Sequence, residues 1–295
     1  MLTKFFFDEF KEIDALDLST DMLNVFAEKY DHDSVNLIYY DMVEYEKEDT
    51  YDLIVILLDS INYVTNPKDL EKLIANCYKN LKEHGLLILD INSEYKMREI
   101  FGSNCYVYEY EDIFYTWDNF MEDDLVDMHL NFFVENEDGS YKRIYEYQEE
   151  RAYERDYIED VLVQNGFKIA LCDQVEDPKM AKGLVKRAIT RVISPGTIID
   201  LESLDKKENN FLLSIYENKY GIGACFSDIS TGKLMAFEIR NNQSISANKL
   251  IDEIEKISPS EIIINSNFSN KKVLKYLNLN KEILINKIDD SKDYE

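Results

Sequence analysis

Three acidic residues stand at the ends of apolar segments in the first part of the chain. Asp17 and Asp41 each close a short apolar run, and Asp59 closes the almost wholly apolar run 51–58. Ligands of open α/β sheets bind outside the carboxyl ends of the strands, where an acid can accept hydrogen bonds from ribose hydroxyls or an adenine amino group. We therefore predict a ligand site that includes Asp17, Asp41, the adjacent Met42 and Asp59.

The segments around these acids predict alternating strands and helices. Strands are expected at 13–18, 35–40, 51–58 and 86–91, and helices at 19–27 and 67–81. Runs of this apolar character indicate parallel strands that are covered on both faces. The order of elements predicts a doubly wound, Rossmann-like α/β unit.

An antiparallel segment is predicted to follow. Residues 101–155 are rich in Tyr, Phe and acids, and the alternation at 127–134 and 141–147 predicts two strands joined near Gly139. His129 lies in the first of these strands. It is a candidate general base, although a lone histidine in a strand is more often structural. No histidine or cysteine has a partner at a metal-ligand spacing, so no metal site is predicted.

Charge is divided unevenly along the chain. Residues 1–165 contain 14 Lys and Arg against 40 Asp and Glu, a net charge of −26, whereas residues 166–295 contain 19 of each sign. Such a step indicates two units of different origin. The acidic unit would repel phosphate backbones, so it suits a small-molecule or cationic partner. A solvated acidic surface that serves solubility alone is the more frequent situation.

The cysteines and the N-terminal residues indicate where in the cell the protein is located. The four cysteines are far apart and form no C-x-x-C pair, so reduced thiols in a cytoplasmic protein are expected. The apolar stretch at residues 5–7 stops at Asp8 and is too short for a signal peptide or a membrane span. We predict a cytoplasmic protein without membrane contact.

The first unit resembles the class I methyltransferases that use S-adenosylmethionine. The resemblance rests on three segments. Residues 15–23 are similar to the second strand and acidic loop of that family. The other two are 51–64 and 80–88, and the latter, with its Gly85, leads into the next strand. It implies S-adenosylmethionine as cofactor, a small-molecule methyl acceptor, and the antiparallel segment as a substrate-side lid. An ordinary antiparallel sheet with aromatic cross-strand pairs explains that segment equally well.

One part of the family pattern has no counterpart. The family binds its cofactor with a glycine-rich loop between its first strand and first helix, whereas only 16 residues precede Asp17 here. The missing first strand would lie between the second and fourth strands, at the middle of the sheet. The sequence therefore predicts a methyltransferase-like domain at 1–166 without that strand and loop, and it argues against cofactor binding.

The second part of the chain carries a different set of motifs. They are 172–178, 181–187, 191–197, 209–212 and 220–233. Their order and spacing resemble the bacterial MutS mismatch-repair proteins, from the end of the mismatch-recognition domain (167–197) into the connector domain (198–295). The resemblance implies a ribonuclease-H-like α/β connector, and the two families meet in a shared helix–Gly–strand element around Gly166.

The MutS resemblance also implies partners. A basic strip that includes Lys182, Lys186 and Arg187 is a candidate for contact with DNA phosphates, although a solvated basic face is at least as frequent. A MutL-type repair protein is the other implied partner. Asp228 is not predicted to be a nuclease carboxylate, because the residues after it favour a hairpin turn and two-metal hydrolysis needs several converging acids.

The motifs that are missing limit the function. No G-x-x-x-x-G-K-[ST] sequence occurs in the chain, and the mismatch-reading element of MutS belongs to a portion before the one found here. We predict a fusion of a MutS fragment with a methyltransferase-like domain, without mismatch recognition or ATPase activity of its own. The alternative is a working methyltransferase that acts on a small molecule and uses Asp17 and Asp41 to hold its cofactor.

Overall fold

The computed structural model describes residues 3–30, 32–111, 113–176, 185–194, 196, 210–229, 231–240, 243–280 and 283–288. Contacts divide the chain into two compact units, Met1–Ile158 and Glu159–Glu295. The boundary falls inside a helix, eight residues before the predicted domain boundary at 166. None of the helices in these ranges is long and apolar enough to cross a membrane.

The first unit begins with a strand–helix–strand element. β1 (Ile13–Asp17) and β2 (Val35–Tyr39) are parallel, with Ile13 opposite Val35 and Asp17 opposite Tyr39. α1 (Thr20–Lys29) connects them, and it begins where the Ser19 side chain accepts a hydrogen bond from the Met22 N–H.

A second element of the same kind follows. β3 (Tyr51–Ile56) and β4 (Leu81–Leu89) are parallel, and α2 (Pro67–Asn80) connects them. Asn66 caps α2, and a proline occupies its first turn. Four residues at helical spacing bury its apolar side: Leu70, Leu73, Ile74 and Cys77.

The two parallel pairs do not join into one sheet. Among the described residues, β1 pairs only with β2, and β3 pairs only with β4. The doubly wound α/β organisation is thus confirmed, with a gap between β1 and β3.

The remainder of the first unit is an antiparallel sheet of four strands in chain order: β5 (Cys105–Tyr110), β6 (Ile113–Glu122), β7 (Leu125–Glu135) and β8 (Tyr141–Arg151). One face packs on the short helix Lys96–Phe101, through a core that includes Met97, Val126 and Met128. The sheet is tied to the parallel half of the unit, since Asn62 donates to the Arg151 carbonyl and the Tyr153 hydroxyl donates to the Val64 carbonyl.

The chain then passes through α3 (Arg155–Gln164), which spans the boundary between the units. Gly166 follows with φ +92°, a conformation that favours glycine after a helix end. β9 (Ile169–Gln174) and β10 (Arg187–Ile193) form an antiparallel pair. Asp177 and Pro178, an acidic residue followed by proline that favours a helix start, lie outside the described residues.

The second unit contains a five-stranded mixed sheet. Its strands are β11 (Phe211–Asn218), β12 (Gly221–Asp228), β13 (Lys233–Arg240), β14 (Glu261–Asn265) and β15 (Leu284–Ile288), in the spatial order β13-β12-β11-β14-β15. The first three are antiparallel, and β14 and β15 add in parallel. α4 (Gln243–Ile257) and α5 (Lys271–Leu279) contribute to one core with the central strands.

Candidate functional site

The predicted acids lie at the carboxyl ends of the parallel strands, and the carboxylates of Asp17 and Asp41 are each engaged in a local turn. The Asp17 carboxylate accepts a hydrogen bond from the Ser19 N–H at 2.8 Å, and the Asp41 carboxylate accepts one from the Val43 N–H at 2.9 Å. Tyr40, next to Asp41, donates its N–H to the Asp17 carbonyl. Asp17 and Asp41 therefore follow neighbouring strands at one edge of the unit.

Asp59 belongs to a partly buried polar cluster that the sequence did not predict. It follows β3 with φ +53°, and its N–H donates to the Asp90 carboxylate at 2.9 Å. The Asn92 amide donates to Asp59 at 2.6 Å and to Glu150 of β8 at 3.0 Å. Lys96 donates to the Asn92 carbonyl oxygen at 2.7 Å. This cluster joins the end of β3 to the antiparallel sheet.

The ionisation of the cluster is perturbed by burial. Glu150 is 2% exposed, and burial raises the pKa of its carboxyl, while the hydrogen bond from Asn92 opposes that change. Burial also raises the pKa of Tyr63, with the nearby Glu150 and Asp59 acting in the same direction. A carboxyl with a raised pKa beside amide and hydroxyl groups can accept a proton from a bound amine or hydroxyl.

A cavity of about 390 Å³ lies between β1 and β3. It is lined by residues 13–16 of β1, by 53–56 of β3 with 57, 58 and 60 beyond it, and by Met42. Met42 is thus the one predicted cofactor residue that lines this cavity. Most of the other lining side chains are apolar, among them Phe6, Phe10 and Leu73.

One end of the cavity is closed by a charged network around Asp14 of β1. Its carboxylate accepts hydrogen bonds from the Tyr51 hydroxyl, from Lys47 at 2.8 Å and from Asn36 at 2.9 Å. Partial burial acts to raise the pKa of Asp14, but the hydrogen bonds from Lys47, Tyr51 and Asn36 outweigh it and hold the pKa at about 2. Burial and the bond to Asp14 raise the pKa of Tyr51.

Nothing in the first strand–helix region supplies a phosphate-type cradle. The first 84 residues contain no glycine, and Gly85 lies in β4, away from the carboxyl ends of the strands. Asp17, Asp41 and Asp59 provide acceptors for a cofactor's hydroxyl and amino groups.

The basic strip of the second unit is only partly described. Lys182 lies outside the described residues, whereas Lys186 and Arg187 are exposed neighbours at the start of β10. Further along the same strand, Arg191 forms an ion pair with Glu159 at 3.6 Å. Lys186 and Arg187 are therefore available for contact with an anion.

Two other candidate residues, Asp228 and His129, are held by hydrogen bonds to neighbouring residues. The Asp228 carboxylate accepts the Thr231 N–H at 3.3 Å, within the turn between β12 and β13, as the sequence predicted. In the ranges the structure describes, no group of three or more potential ligands could hold a metal ion. His129 shares a hydrogen bond of 2.6 Å with the Tyr145 hydroxyl on an open face of the antiparallel sheet.

Comparison with known proteins separates the two units. A family model described as a methyltransferase domain matches residues 1–85. Among solved structures, an S-adenosylmethionine-dependent methyltransferase from Clostridium acetobutylicum is 35% identical, with a TM-score of 0.53. The match covers 63% of this chain and 76% of that one.

The second unit matches a different family. Models described as MutS domain I and MutS domain II match residues 151–202 and 210–292. The DNA mismatch repair protein MutS of Caldanaerobacter subterraneus subsp. tengcongensis is 50% identical over 121 residues, which are 41% of this chain and 14% of that protein. MutS of Alkaliphilus oremlandii is 54% identical over 104 residues, 35% of this chain and 12% of that protein. The chain thus spans about an eighth of these relatives.

Proposed function

The chain belongs, through its first unit, to the S-adenosylmethionine-dependent methyltransferase family and carries MutS-like domains in its second, and we propose that it acts in DNA mismatch repair as a connector module. Its role is to bind DNA phosphates weakly and to bind a MutL-type partner. It neither prefers mismatches nor hydrolyses ATP. We propose a cytoplasmic location, since its cysteines are free thiols.

The second unit carries this proposal. Its sheet has a continuous buried core whose central members, including Leu213, Ile262 and Ile264, are wholly inaccessible to solvent. Half of its residues are identical to those of a MutS protein over 121 positions. A unit with such a core can present a binding surface without further domains.

Weak DNA binding follows from the charge. The second unit carries a net charge of −2 and the first a net charge of −24, so only local contacts such as those of Lys186 and Arg187 favour a phosphate backbone. Two neutralised phosphates give a dependence of log K on log salt with a slope of about −1.8. A contact made to phosphates alone is blind to a mismatch.

Fluorescence anisotropy with matched and singly mismatched duplexes tests this part. We expect equal affinities for the two duplexes and a loss of binding in the double variant K186E/R187E. The variant Lys275→Glu, an exposed charge reversal on α5, serves as the matched control and should retain binding. A clear preference for the mismatched duplex would refute the proposal.

Binding to a MutL protein from the source organism is measured with the chain immobilised on a biosensor. We expect saturable binding that is unchanged by ATP. A chain that ignores MutL at micromolar concentration, or that hydrolyses ATP, would contradict the proposed role.

For the first unit we propose a methyltransferase fold without a formed cofactor site. Two observations support this proposal: among the described residues β1 pairs only with β2 and β3 only with β4, and residues 1–84 contain no glycine. The alternative is methyl transfer to a small molecule. The buried Asp59–Asn92–Glu150 cluster favours this alternative, because it can accept a proton from an acceptor amine or hydroxyl. Titration of the chain with S-adenosylmethionine decides between them.

A further inference from the structure

The four-stranded antiparallel sheet of the first unit has an outer face, opposite the one that packs on the short helix. Residues of a strand alternate between the two faces of a sheet. Val126 and Met128 of β7 belong to the core with Met97, so Asp127 and His129 lie on the outer face. The strand register places these further residues on it: Phe120 of β6, Asn131 of β7, and Arg143, Tyr145, Tyr147 and Glu149 of β8. Three of its rings have half or more of their surface exposed, namely those of Phe120, Tyr145 and Tyr147.

One ring of the outer face already holds a guanidinium group. The Cζ atom of Arg143 lies 6.0 Å from the centre of the Tyr145 ring, at the limit of cation–π contact. Its Nε donates at 2.9 Å to the side-chain oxygen of Asn131, which lies directly opposite Tyr145 on β7. The arrangement consists of a ring, a guanidinium over it and an oxygen acceptor on the neighbouring strand.

The same arrangement recurs two residues further along β8, but without a cation. The Tyr147 hydroxyl donates to Asp127 of β7, and the Glu149 carboxylate lies 3.2 Å from the same hydroxyl as a second acceptor. In the part of the chain that the structure describes, no lysine or arginine forms an ion pair with either carboxylate. No cation of that part lies over the Tyr147 ring either. Tyr147 therefore offers a ring and two acceptors that match the surroundings of Tyr145.

The two carboxylates are an unfavourable pair without a cation. Asp127 and Glu149 are directly opposite each other on β7 and β8, and like charges in this position destabilise a sheet. The Tyr147 hydroxyl has one proton, so it can donate to only one of them at a time. Its hydrogen bond to Asp127 raises the pKa of Tyr147, which keeps the hydroxyl uncharged at neutral pH. A positive charge is the group that this pair lacks.

The shape of the site favours a guanidinium over other cations. A guanidinium is planar, carries five donors and stacks on aromatic rings, whereas an ammonium is a compact point charge. It can lie on the Tyr147 ring and donate to Asp127 and Glu149 together. The rings of His129 and Phe120 extend the surface beside Tyr147, with successive centroids 5.4 Å apart. Within the described residues, no group of three or more potential ligands could hold a metal ion.

The charge of the first unit indicates what kind of molecule supplies the guanidinium. This unit carries a net charge of −24, and residues 105–151 contain 14 Asp and Glu against 3 Lys and Arg. Nucleic acids, anionic membranes and a second copy of the unit would be repelled, whereas a basic polypeptide is attracted. Free arginine would make a single exposed contact. A segment with several arginines also gains from the surrounding carboxylates.

We propose that the outer face binds an arginine-rich segment of another polypeptide, with one guanidinium stacked on Tyr147 and hydrogen-bonded to Asp127 and Glu149. The inference goes beyond the proposed function, which places partner binding in the second unit. It gives the acidic first unit a protein partner of opposite charge.

Binding of two fluorescent peptides to the whole chain tests the proposal. The peptides have the same length and the same number of basic residues, spaced by Gly and Ser, and differ only in having Arg or Lys. Anisotropy is measured at physiological ionic strength, where distant charges are screened. We expect the arginine peptide to bind about 3- to 10-fold more tightly, because stacking on the ring adds to the charge attraction. Attraction by net charge alone would treat the two peptides alike.

Three variants locate the binding site. D127N/E149Q removes both charges at nearly constant size and should weaken binding of the arginine peptide about 5-fold or more. E48Q/E83Q removes two exposed charges elsewhere in the first unit and should weaken it less than about 2-fold. Tyr147→Leu leaves the net charge unchanged and should abolish the preference for arginine. The fluorescence of Trp117 checks that each variant is folded.

Each contrary outcome has a defined meaning. Equal affinities of the two peptides, equal losses in D127N/E149Q and E48Q/E83Q, or a preference for arginine that survives in Tyr147→Leu overturns the proposal. Binding of arginine amide as tight as that of the peptide overturns it in favour of a small-molecule site. A dimer in sedimentation velocity that is lost in Tyr147→Leu overturns it in favour of a second copy of the chain.

Discussion

Removal of the Asp14 charge should destabilise the first unit by an amount that depends on pH. The pKa of Asp14 is about 2, against an ordinary value of 3.8. At about 1.36 kcal/mol for each pKa unit, this difference corresponds to about 2.4 kcal/mol. Lys47 is half exposed, and solvent screening reduces the contribution to about 1–2 kcal/mol. We expect Asp14→Asn to lose this amount at pH 7.

The single tryptophan makes the measurement specific to the first unit. Trp117 lies beside Phe101, against the core formed by the antiparallel sheet and the short helix. Its fluorescence during urea unfolding reports the transition of the unit that contains Asp14. A chain of two units is not expected to unfold in one step, so a local probe is needed.

The sign of the pH dependence follows from the depressed pKa. A carboxylate whose folded pKa lies below its unfolded value contributes its full stabilisation above the unfolded pKa, near 4, and loses it as pH falls through about 2. The difference between the wild type and Asp14→Asn should therefore be constant from pH 7 to about pH 5. It should shrink below that and nearly vanish at pH 2.

A matched variant provides the control. Asp52→Asn removes a carboxylate that pairs with Lys82 at 2.8 Å, but its side chain is 71% exposed, so a loss below about 1 kcal/mol is expected. Equal effects of the two substitutions, or an Asp14→Asn difference that persists unchanged at pH 2, would refute the interpretation of the Asp14 network.

Three further predictions concern buried or conformationally restricted residues. Leu213→Ala, at the centre of the sheet of the second unit, should cost about 2–5 kcal/mol in a circular-dichroism unfolding experiment, whereas the exposed Leu234→Ala should cost little. Gly102→Ala should lower the free energy of unfolding, followed by tryptophan fluorescence, by about 1–3 kcal/mol, because φ is +40° and the added Cβ would lie 2.5 Å from a carbonyl oxygen. Gly139→Ala, whose Cβ would lie in open space, should cost less. Cys77 should resist alkylation at pH 8, as followed by mass spectrometry, until the first unit unfolds, because burial raises its pKa to about 12.

Local sequence signals predicted most of the elements. The Ser19 and Asn66 caps lie where the helices begin, and each of the six strands expected in the first unit overlaps an observed strand, whereas β5 and β6 were not predicted. α5 and β15 were not predicted, although Asn270 caps α5 and its buried residues Val273 and Leu277 are four apart. Their short apolar patterns are weaker than those of the longer elements.

The differences arise where distant contacts decide the conformation. β3 was expected to reach Leu58, but it ends at Ile56, since Leu58 and Asp59 have positive φ and the Asp59 N–H bonds to Asp90. Glu150 is part of an alternating run that gives no sign of its burial. Its partner Asn92 lies 58 positions away in the sequence.

The second unit contains a similar case. Glu261 begins the otherwise mostly apolar strand β14, yet its buried carboxylate accepts hydrogen bonds from Ser194, from the Gly196 N–H at 3.1 Å and from Asn286 at 2.6 Å. Each of these partners is at least 25 positions distant. Strand periodicity places Glu261 in the sheet, but only the tertiary fold explains why a carboxylate is accommodated there.

The measurement that tests the account most directly is calorimetric titration of the whole chain with S-adenosylmethionine, with the Clostridium acetobutylicum methyltransferase as the positive control. The separate pairs β1–β2 and β3–β4, and the lack of glycine in residues 1–84, predict no saturable heat at micromolar ligand. Saturable binding of one equivalent with micromolar affinity, lost in the variant Asp17→Ala, would contradict it.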